Sequence, residues 1–486
     1  MAAELHVSDG AQQQGSIDRA VALALHVLSQ SSAGIVASVP SSQRTRWPLV
    51  LLAPALGVRD RVRLYGDGES EKGATEEVVV LDPHVLPAPA QLLEALGGSA
   101  PPPTIGQELA GARAAIVTNI PIHYRVALFN ELQEILAGCG ARLRIFFLSE
   151  IPNDRSWIAP GPMSFDHTFL NSIDLGRAAN GRHLLPKHLR EPIRAFAPTV
   201  LLVAGFAPWV AMRLLGPWRG QRRPAIGIWS GEIPTRGTAN SKPRAIQRRL
   251  LLKRADFGLA YGWESANYLN GLDSGLPVVI ARNTTITVLR QSAASAHDTK
   301  QVEVITVGRA ERGKALDLLI DAALELRDLP WRLTIVGDGP ELPALKVRAA
   351  GLQSVRFLGA LRPAAVAEEL ERSDVFLFPS QYDIFGLALV EAMAAGLAVV
   401  TSSRPGAVSD LCASGCNCLV VDAATPQAWS SAIRQVVSNR ELRLRLGSRA
   451  QATINGRWTL AHSAAAMATG FAVGLRAKAG MSERTS

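Results

Sequence analysis

The sequence predicts an α/β protein with two doubly wound domains behind an N-terminal extension. Three observations predict it. From Ala114 onward, short apolar β-rich runs alternate with helical stretches. The runs form two series, separated by the polar stretch 290–301. Residues 1–105 lack this rhythm and end in the proline-rich joint at 99–104. Continuous apolar strands alternating with helices imply parallel sheets covered on both faces, so two series imply two sheets.

Within the extension, 17–28 reads as a helix, 47–58 as an apolar run and 78–81 as a short strand, and none of them carries a chemical motif. The first series of strands is 114–120, 142–148, 199–203, 225–229, 257–261 and 278–280. The second is 302–307, 331–336, 355–358, 374–378, 397–401 and 418–421. The expected divisions are an extension over 1–105, a first domain over 106–288, a second over 289–465, and a helix and tail over 466–486. Ligands of such sheets bind beyond the carboxyl ends of the strands, so the cleft between the two domains is the expected site.

Composition narrows the class. The chain has 486 residues, 48% hydrophobic and 19% charged, which is globular and ample for sizeable cores. Its formal net charge of +9 fits an anionic partner: a nucleotide diphosphate, an anionic membrane surface or nucleic acid. Four cysteines do not make a disulfide framework. Cys412, Cys416 and Cys418 have a metal-like spacing but no fourth ligand nearby, so they read as ordinary buried thiols. The start carries no secretory signal pattern, and the uncharged stretches 195–212 and 459–475 do not read as membrane spans, so a cytoplasmic protein is expected.

The densest chemical signal is PSQYDIFGLALVEAMAAGLAVVTS, 379–402. A strand ends at Pro379, a loop carries Asp383, and Phe385-Gly386 opens a helix that Gly396 closes. The leading amides of that helix, at Gly386, Leu387 and Ala388, favour a phosphate. Asp383 and Glu391 could face one ligand and accept hydrogen bonds from sugar hydroxyls. A second signal is VGRAERGKALDLLIDA, 307–322, in which Gly308 ends a strand and Arg309 and Lys314 flank a turn opening a helix. Two cations beside a helix start suit a pyrophosphate. A third, IVGDGPEL, is a strand and a turn carrying Gly337 and Gly339 without the full dinucleotide-binding spacing.

These pieces, in this order and spacing, closely resemble the C-terminal domain of the family 4 glycosyltransferases, of the "glycosyl transferases group 1" type and the GT-B fold. TNIPIHYRVALFNEL (118–132) resembles the first strand, loop and helix of that family's acceptor-side domain, so the likeness runs over about 113–475. The resemblance implies two Rossmann-like domains and a retaining, metal-independent transferase. It would move a sugar from a UDP- or GDP-sugar to a glycan or lipid-linked acceptor in polysaccharide or glycoconjugate biosynthesis, with no cofactor. It assigns the donor diphosphate to Arg309 and Lys314, the ribose hydroxyls to Glu391, the transferred sugar to Asp383 and the distal phosphate to the amides of Gly386 and Leu387. Gly308, Gly337, Gly339 and Phe385 join them as donor-side residues. The chain departs from the family pattern at Asp383, which replaces a Glu. It departs again at Ala315, Ala398, Cys418 and Ile286.

On the acceptor side the candidates are His123, Tyr124, Arg125 and Glu232. His123 could orient an acceptor, touch a phosphate or have no role. Glu232 could contact the acceptor, act as a base or make a structural hydrogen bond. The stretch 241–254 has six basic and no acidic residues, with Ile246, Leu250 and Leu251 near helical spacing. It reads either as a peripheral contact with the anionic inner face of a membrane or as a basic helix packed on the sheet. The alternative function is a degenerate nucleotide-sugar-binding subunit without turnover. A nicotinamide-dependent oxidoreductase is disfavoured because no glycine fingerprint follows the first strand, and a nucleic-acid module because no basic–aromatic platform occurs.

Overall fold

A computed structural model describes residues 2–6, 34–38, 62–65, 104–150, 161–178, 181–206, 208–216, 218, 222–233, 242–273, 275–286 and 301–483. Three short strands of the extension, β1 (Ala2–His6), β2 (Gly34–Ser38) and β3 (Val62–Tyr65), pair in parallel. The helix, apolar run and strand read from the sequence at 17–28, 47–58 and 78–81 lie outside the described residues, as does nearly all of the polar stretch 290–301.

The chain divides into two compact units. One holds Met1–Asn153, Pro160–Arg282 and Ala461–Ser486; the other holds Asp154–Ala159 and Asn283–Leu460.

The first unit contains α1 (Thr104–Leu109), β4 (Arg113–Thr118), α2 (His123–Gly138), β5 (Arg142–Phe147) and β6 (Asp166–Phe169). An antiparallel hairpin follows, β7 (Ser172–Ala178) and β8 (Gly181–Pro186). Then come α3 (Arg190–Phe196), β9 (Val200–Ala204), α4 (Pro208–Leu215), β10 (Ala225–Ser230), α5 (Lys242–Leu252), β11 (Phe257–Ala260), α6 (Trp263–Leu272) and β12 (Val278–Ile280). Seven strands form one parallel sheet in the order β12-β11-β10-β9-β4-β5-β6. The order reverses direction between β4 and β9. All six residues of β10 are buried, as expected for a central strand with helices on both faces. Leu201, Val203, Ile226 and Ile228 lie in its core, each contributing roughly 1.5–3 kcal/mol by burial.

The second unit contains β13 (Val302–Val307), a 3-10 turn at Arg312–Lys314, α7 (Leu316–Glu325), β14 (Trp331–Val336), α8 (Leu342–Arg348), β15 (Val355–Gly359), α9 (Pro363–Glu371) and β16 (Val375–Phe378). It continues with α10 (Leu387–Ala394), β17 (Ala398–Ser402), α11 (Val408–Leu411), β18 (Leu419–Val421), α12 (Pro426–Ser438) and α13 (Arg440–Arg457). Its six strands run parallel in the order β15-β14-β13-β16-β17-β18, the doubly wound order 3-2-1-4-5-6. Val304, Leu333, Val375, Leu377, Val400 and Trp429 belong to its core.

The last helix, α14 (Leu460–Glu483), returns to the first unit. It lies close on β11 because Gly470 and Gly474 face Leu259 and Phe257, where a Cβ would stand only 2.3 and 2.4 Å from those side chains. Among the described residues no helix is long and apolar enough to cross a membrane.

Candidate functional site

In the second sheet the strand order reverses between β13 and β16, and open α/β sheets bind ligands beyond the carboxyl ends of strands at that point. The two loops that leave these strands carry Arg309 and Lys314 on one side and Asp383 on the other. They are tied together through one carbonyl. Gly313 O accepts from the amides of Gln381 (2.8 Å) and Tyr382 (3.3 Å) and from Ser380 Oγ (3.4 Å). This junction sets Lys314 Nζ against Asp383 Oδ2 in an ion pair, with both side chains about four-fifths covered. Lys314 Nζ also lies 5.9 Å from the centre of the Phe378 ring. Arg309 differs: it is exposed and its Nε pairs with Glu311 Oε1 at 2.7 Å.

The ring of Phe378 also supports the start of α10. Gly386, the N-cap, has φ +100°, and a Cβ there would come within 2.9 Å of Phe378 Cε1. Only glycine takes that backbone geometry beside that ring without strain. The first bond of α10 runs from Leu389 N–H to Gly386 O at 3.0 Å, so the amides of Leu387 and Ala388 precede the ladder and no side chain caps them. Their dipoles favour a negative charge. The Phe385 ring is buried and stacked on Trp458, with centroids 6.1 Å apart and 20° between planes. It anchors the loop from below.

Glu391 sits on the second turn of α10. The residue is partly exposed, but its carboxyl is enclosed densely enough that burial pushes its pKa up to about 7. Thr285 Oγ1 donates to Glu391 Oε1 at 3.2 Å and works in the opposite direction. Thr285 itself is buried in a strip held by Trp458: Trp458 Nε1 donates to Asn283 O (3.1 Å) and Thr284 Oγ1 donates to Trp458 O (2.8 Å). Ile286, at the end of the strip, is 47% exposed.

Gly337 and Gly339 have a reason of their own. Gly337 has φ +136°, and a Cβ would stand 1.8 Å from Gly308 O; at Gly339 it would stand 2.4 Å from Ala310 O. The loops after β13 and β14 therefore meet backbone on backbone, with Ala310 N–H bonded to Asp338 O (3.1 Å) and Glu341 N–H to Ala310 O (2.9 Å). The two glycines shape the floor on which Gly308 and Arg309 rest.

The acceptor-side candidates lie in the first unit. His123, Tyr124 and Arg125 form the first turn of α2, directly after the loop that leaves β4. Glu232 Oε1 accepts from Arg248 Nη2 at 2.9 Å, and Arg248 Nη1 donates to Tyr268 at 2.5 Å. This is the structural hydrogen-bonding role among the readings left open for Glu232. Cys412 and Cys418 are buried, and Cys416 Sγ lies 3.6 Å from Arg449 Nη1.

With this geometry in place, the comparison with known families is direct. Residues 288–453 match the model of the family described as glycosyl transferases group 1. This part of the chain is similar to that family. The match covers the strand-order switch point, the Arg309–Lys314 turn, the glycine pair and α10. Among curated relatives, the D-inositol 3-phosphate glycosyltransferase of Corynebacterium urealyticum is 35% identical over 150 residues, which is 28% of this chain and 35% of the relative. The matched stretches span 35, 39 and 40% of three such relatives' lengths. Solved structures cover more. The sucrose-phosphate synthase of Thermosynechococcus elongatus aligns with 74% of this chain and 98% of its own, at 18% identity and a TM-score of 0.58. Anabaena HepE in complex with UDP and glucose aligns over 74% of this chain and 98% of its own, at 15% identity and a TM-score of 0.53. At such identities the likeness speaks for the fold, and the fold is the two-domain GT-B architecture.

The sequence carries chemical signals at the two loops and α10 but none at the residues beneath them. Only packing shows that Phe378, Thr285 and Trp458 support Lys314, Gly386, Glu391 and Phe385.

Proposed function

We propose that the protein is a retaining glycosyltransferase that moves a sugar from a UDP- or GDP-sugar to a glycan or lipid-linked acceptor in polysaccharide or glycoconjugate biosynthesis. The observation that carries this reading is the Lys314–Asp383 pair, set at the switch point of a 3-2-1-4-5-6 sheet beside the uncapped start of α10. The family match over 288–453 and the UDP-bound state of Anabaena HepE support the donor class.

In this reading the diphosphate lies over the start of α10, its oxygens met by the Leu387 and Ala388 amides and by the Lys314 ammonium and Arg309 guanidinium. As the glycosidic bond to phosphate breaks, negative charge grows on the leaving diphosphate, and these fixed donors stabilise it. The attacking acceptor hydroxyl enters on the face the diphosphate leaves and hands its proton to the leaving phosphate oxygen, so configuration is retained. Asp383 accepts from hydroxyls of the transferred sugar, and Glu391 from those of the ribose. The cations and the helix start take the place of a divalent metal, so turnover survives chelation by EDTA.

The partner surface that completes the reading is the outer face of α5. Ile246 and Leu250, one helical turn apart, are 60% and 59% exposed, and Arg244, Arg249, Lys253 and Arg254 are exposed around them with no acidic residue in the stretch. An exposed apolar pair ringed by cations suits the anionic inner face of a membrane, where a lipid-linked acceptor would be held.

A thermal-shift screen with UDP, GDP and ADP and their sugars tests the donor assignment. One nucleotide class should raise the melting temperature of the wild type, and the rise should be lost in Glu391→Ala. Equal, negligible responses to all three would remove the reading.

A further inference from the structure

Three polar atoms of the first unit are buried without a hydrogen-bond partner: Arg125 Nη1 and Trp229 Nε1, on side chains in direct contact, and His123 Nδ1, on the same first turn of α2 as Arg125. Arg125 is only 7% exposed, and no carboxylate among the described residues pairs with it. Aromatic rings surround it instead. Its guanidinium carbon lies 3.9 Å from the centre of the Trp229 ring, 4.8 Å from Tyr261 and 5.4 Å from Tyr124. Trp229 and Tyr261 are themselves in edge contact at 5.5 Å. Cation–π stacking offsets part of the cost of burying the charge but leaves Nη1 without a hydrogen-bond partner.

The position is as telling as the chemistry. Arg125 and His123 are in the first turn of the 16-residue helix α2, whose N-cap, Ile122, supplies no side-chain hydrogen bond. The positive end of the helix dipole lies at the turn that carries Arg125. β4 leads into this turn, Trp229 is the penultimate residue of β10 and Tyr261 follows β11, so the cluster lies at the carboxyl ends of the strands, beside the reversal of strand order between β4 and β9. Neighbouring carboxylates do not neutralise it. Glu232 is paired with Arg248, and burial holds the Glu264 carboxyl above its usual range. Burial also lowers the His123 pKa, which favours a neutral ring able to donate or accept at Nδ1.

We propose that His123, Arg125 and Trp229 form a binding site for an anionic group, a phosphate or a carboxylate, carried by the acceptor. Arg125 supplies the charge and a planar N–H fork, the Trp229 indole and His123 supply single donors, and the three rings hold the guanidinium in one orientation. The acceptor class is then a phosphorylated or acidic glycoconjugate, not a neutral sugar. The assignment to an acceptor rests on the glycosyltransferase reading; the anion site itself does not.

The test separates the two. The indole resonance of Trp229, assigned by its loss in Trp229→Phe, is followed in the full chain during titration with inorganic phosphate, with acetate and with chloride. The site predicts a saturable shift with phosphate or acetate, telling which anion it prefers, and no such shift in Arg125→Met. Arg125→Lys, which keeps the charge but not the plane, should shift weakly. A cooperative thermal transition and an unchanged far-ultraviolet circular dichroism spectrum confirm that each variant is folded. With transfer activity in hand, Arg125→Met should lower kcat/KM for an anionic acceptor about tenfold or more relative to its neutral counterpart. No shift with phosphate or acetate, an equal shift with chloride, or an equal shift in Arg125→Met overturns the anion site whatever the enzyme does. A phosphate shift without acceptor discrimination overturns its assignment to the acceptor.

Discussion

Lys314 gives its ammonium to the Asp383 carboxylate, so an arriving diphosphate competes with Asp383 for the same N–H donors. Aspartate is one methylene shorter than glutamate, and here the shorter arm meets Lys314 across the junction that Gly313 holds. Glu391 adds a pH signature. Its carboxyl titrates near 7 in the folded chain because burial disfavours the charge. Native protein thus holds this proton more tightly than unfolded chain does, and stability falls as pH rises from the ordinary 4.5 toward 7. Ribose hydroxyls donating to the carboxylate would favour the ionised form, so donor binding releases a proton below pH 7 and tightens with pH until about 7. Calorimetric titration should find nucleotide binding up to about tenfold tighter at pH 8 than at pH 6, and flat in Glu391→Gln. A flat wild type would detach Glu391 from the donor. The loop floor makes a separate prediction. Gly337→Ala places a methyl against Gly308 O at a positive φ, and urea unfolding should show a loss of about 2–3 kcal/mol. An unchanged midpoint would mean that the two loops part freely.

At the scale of elements, α5 has two unlike faces. Arg248, Leu251 and Leu252 are buried, as a packed basic helix requires; Ile246, Leu250 and four cations are exposed, and this is the face proposed to meet a membrane. Co-sedimentation should find the chain on vesicles containing anionic lipid and not on neutral ones, with Arg244→Ala/Arg249→Ala weakening binding by roughly 1 kcal/mol per removed charge. Binding that ignores lipid charge, or survives Ile246→Glu/Leu250→Glu, would refute it. The strands show why some elements are legible and others are not. β13 and β14 are largely apolar runs, buried or half-buried throughout, and the sequence expectation and the structure agree at both ends, 302–307 and 331–336. β6, an edge strand whose residues are exposed or half-covered, reads DHTF and carries no apolar run. The β7–β8 hairpin, rich in charge and glycine, was equally silent.

Across the whole molecule the same plan is used twice: each sheet is parallel, and each reverses its order beside its first strand. The alternation of apolar runs made both sheets legible, and the glycines and charges after β13, β14 and β16 made the donor-side loops legible. What could not be read was tertiary by nature. Arg125 stands 104 residues before Trp229 in the chain, and only the register of β4, β9 and β10 brings the guanidinium onto the indole. The helix α14 was expected from the sequence as a helix and tail over 466–486, but its return to the first unit was not. In the proposed function, Lys314, held by Asp383 at the switch point, stabilises a departing nucleotide. Nucleotide release from the stabilising donor sugar, measured in EDTA for wild type and Lys314→Ala, tests it most directly. The account predicts release by the wild type and a loss of about a hundredfold in Lys314→Ala. Donor binding without release in the wild type, or equal release by both proteins, would contradict it.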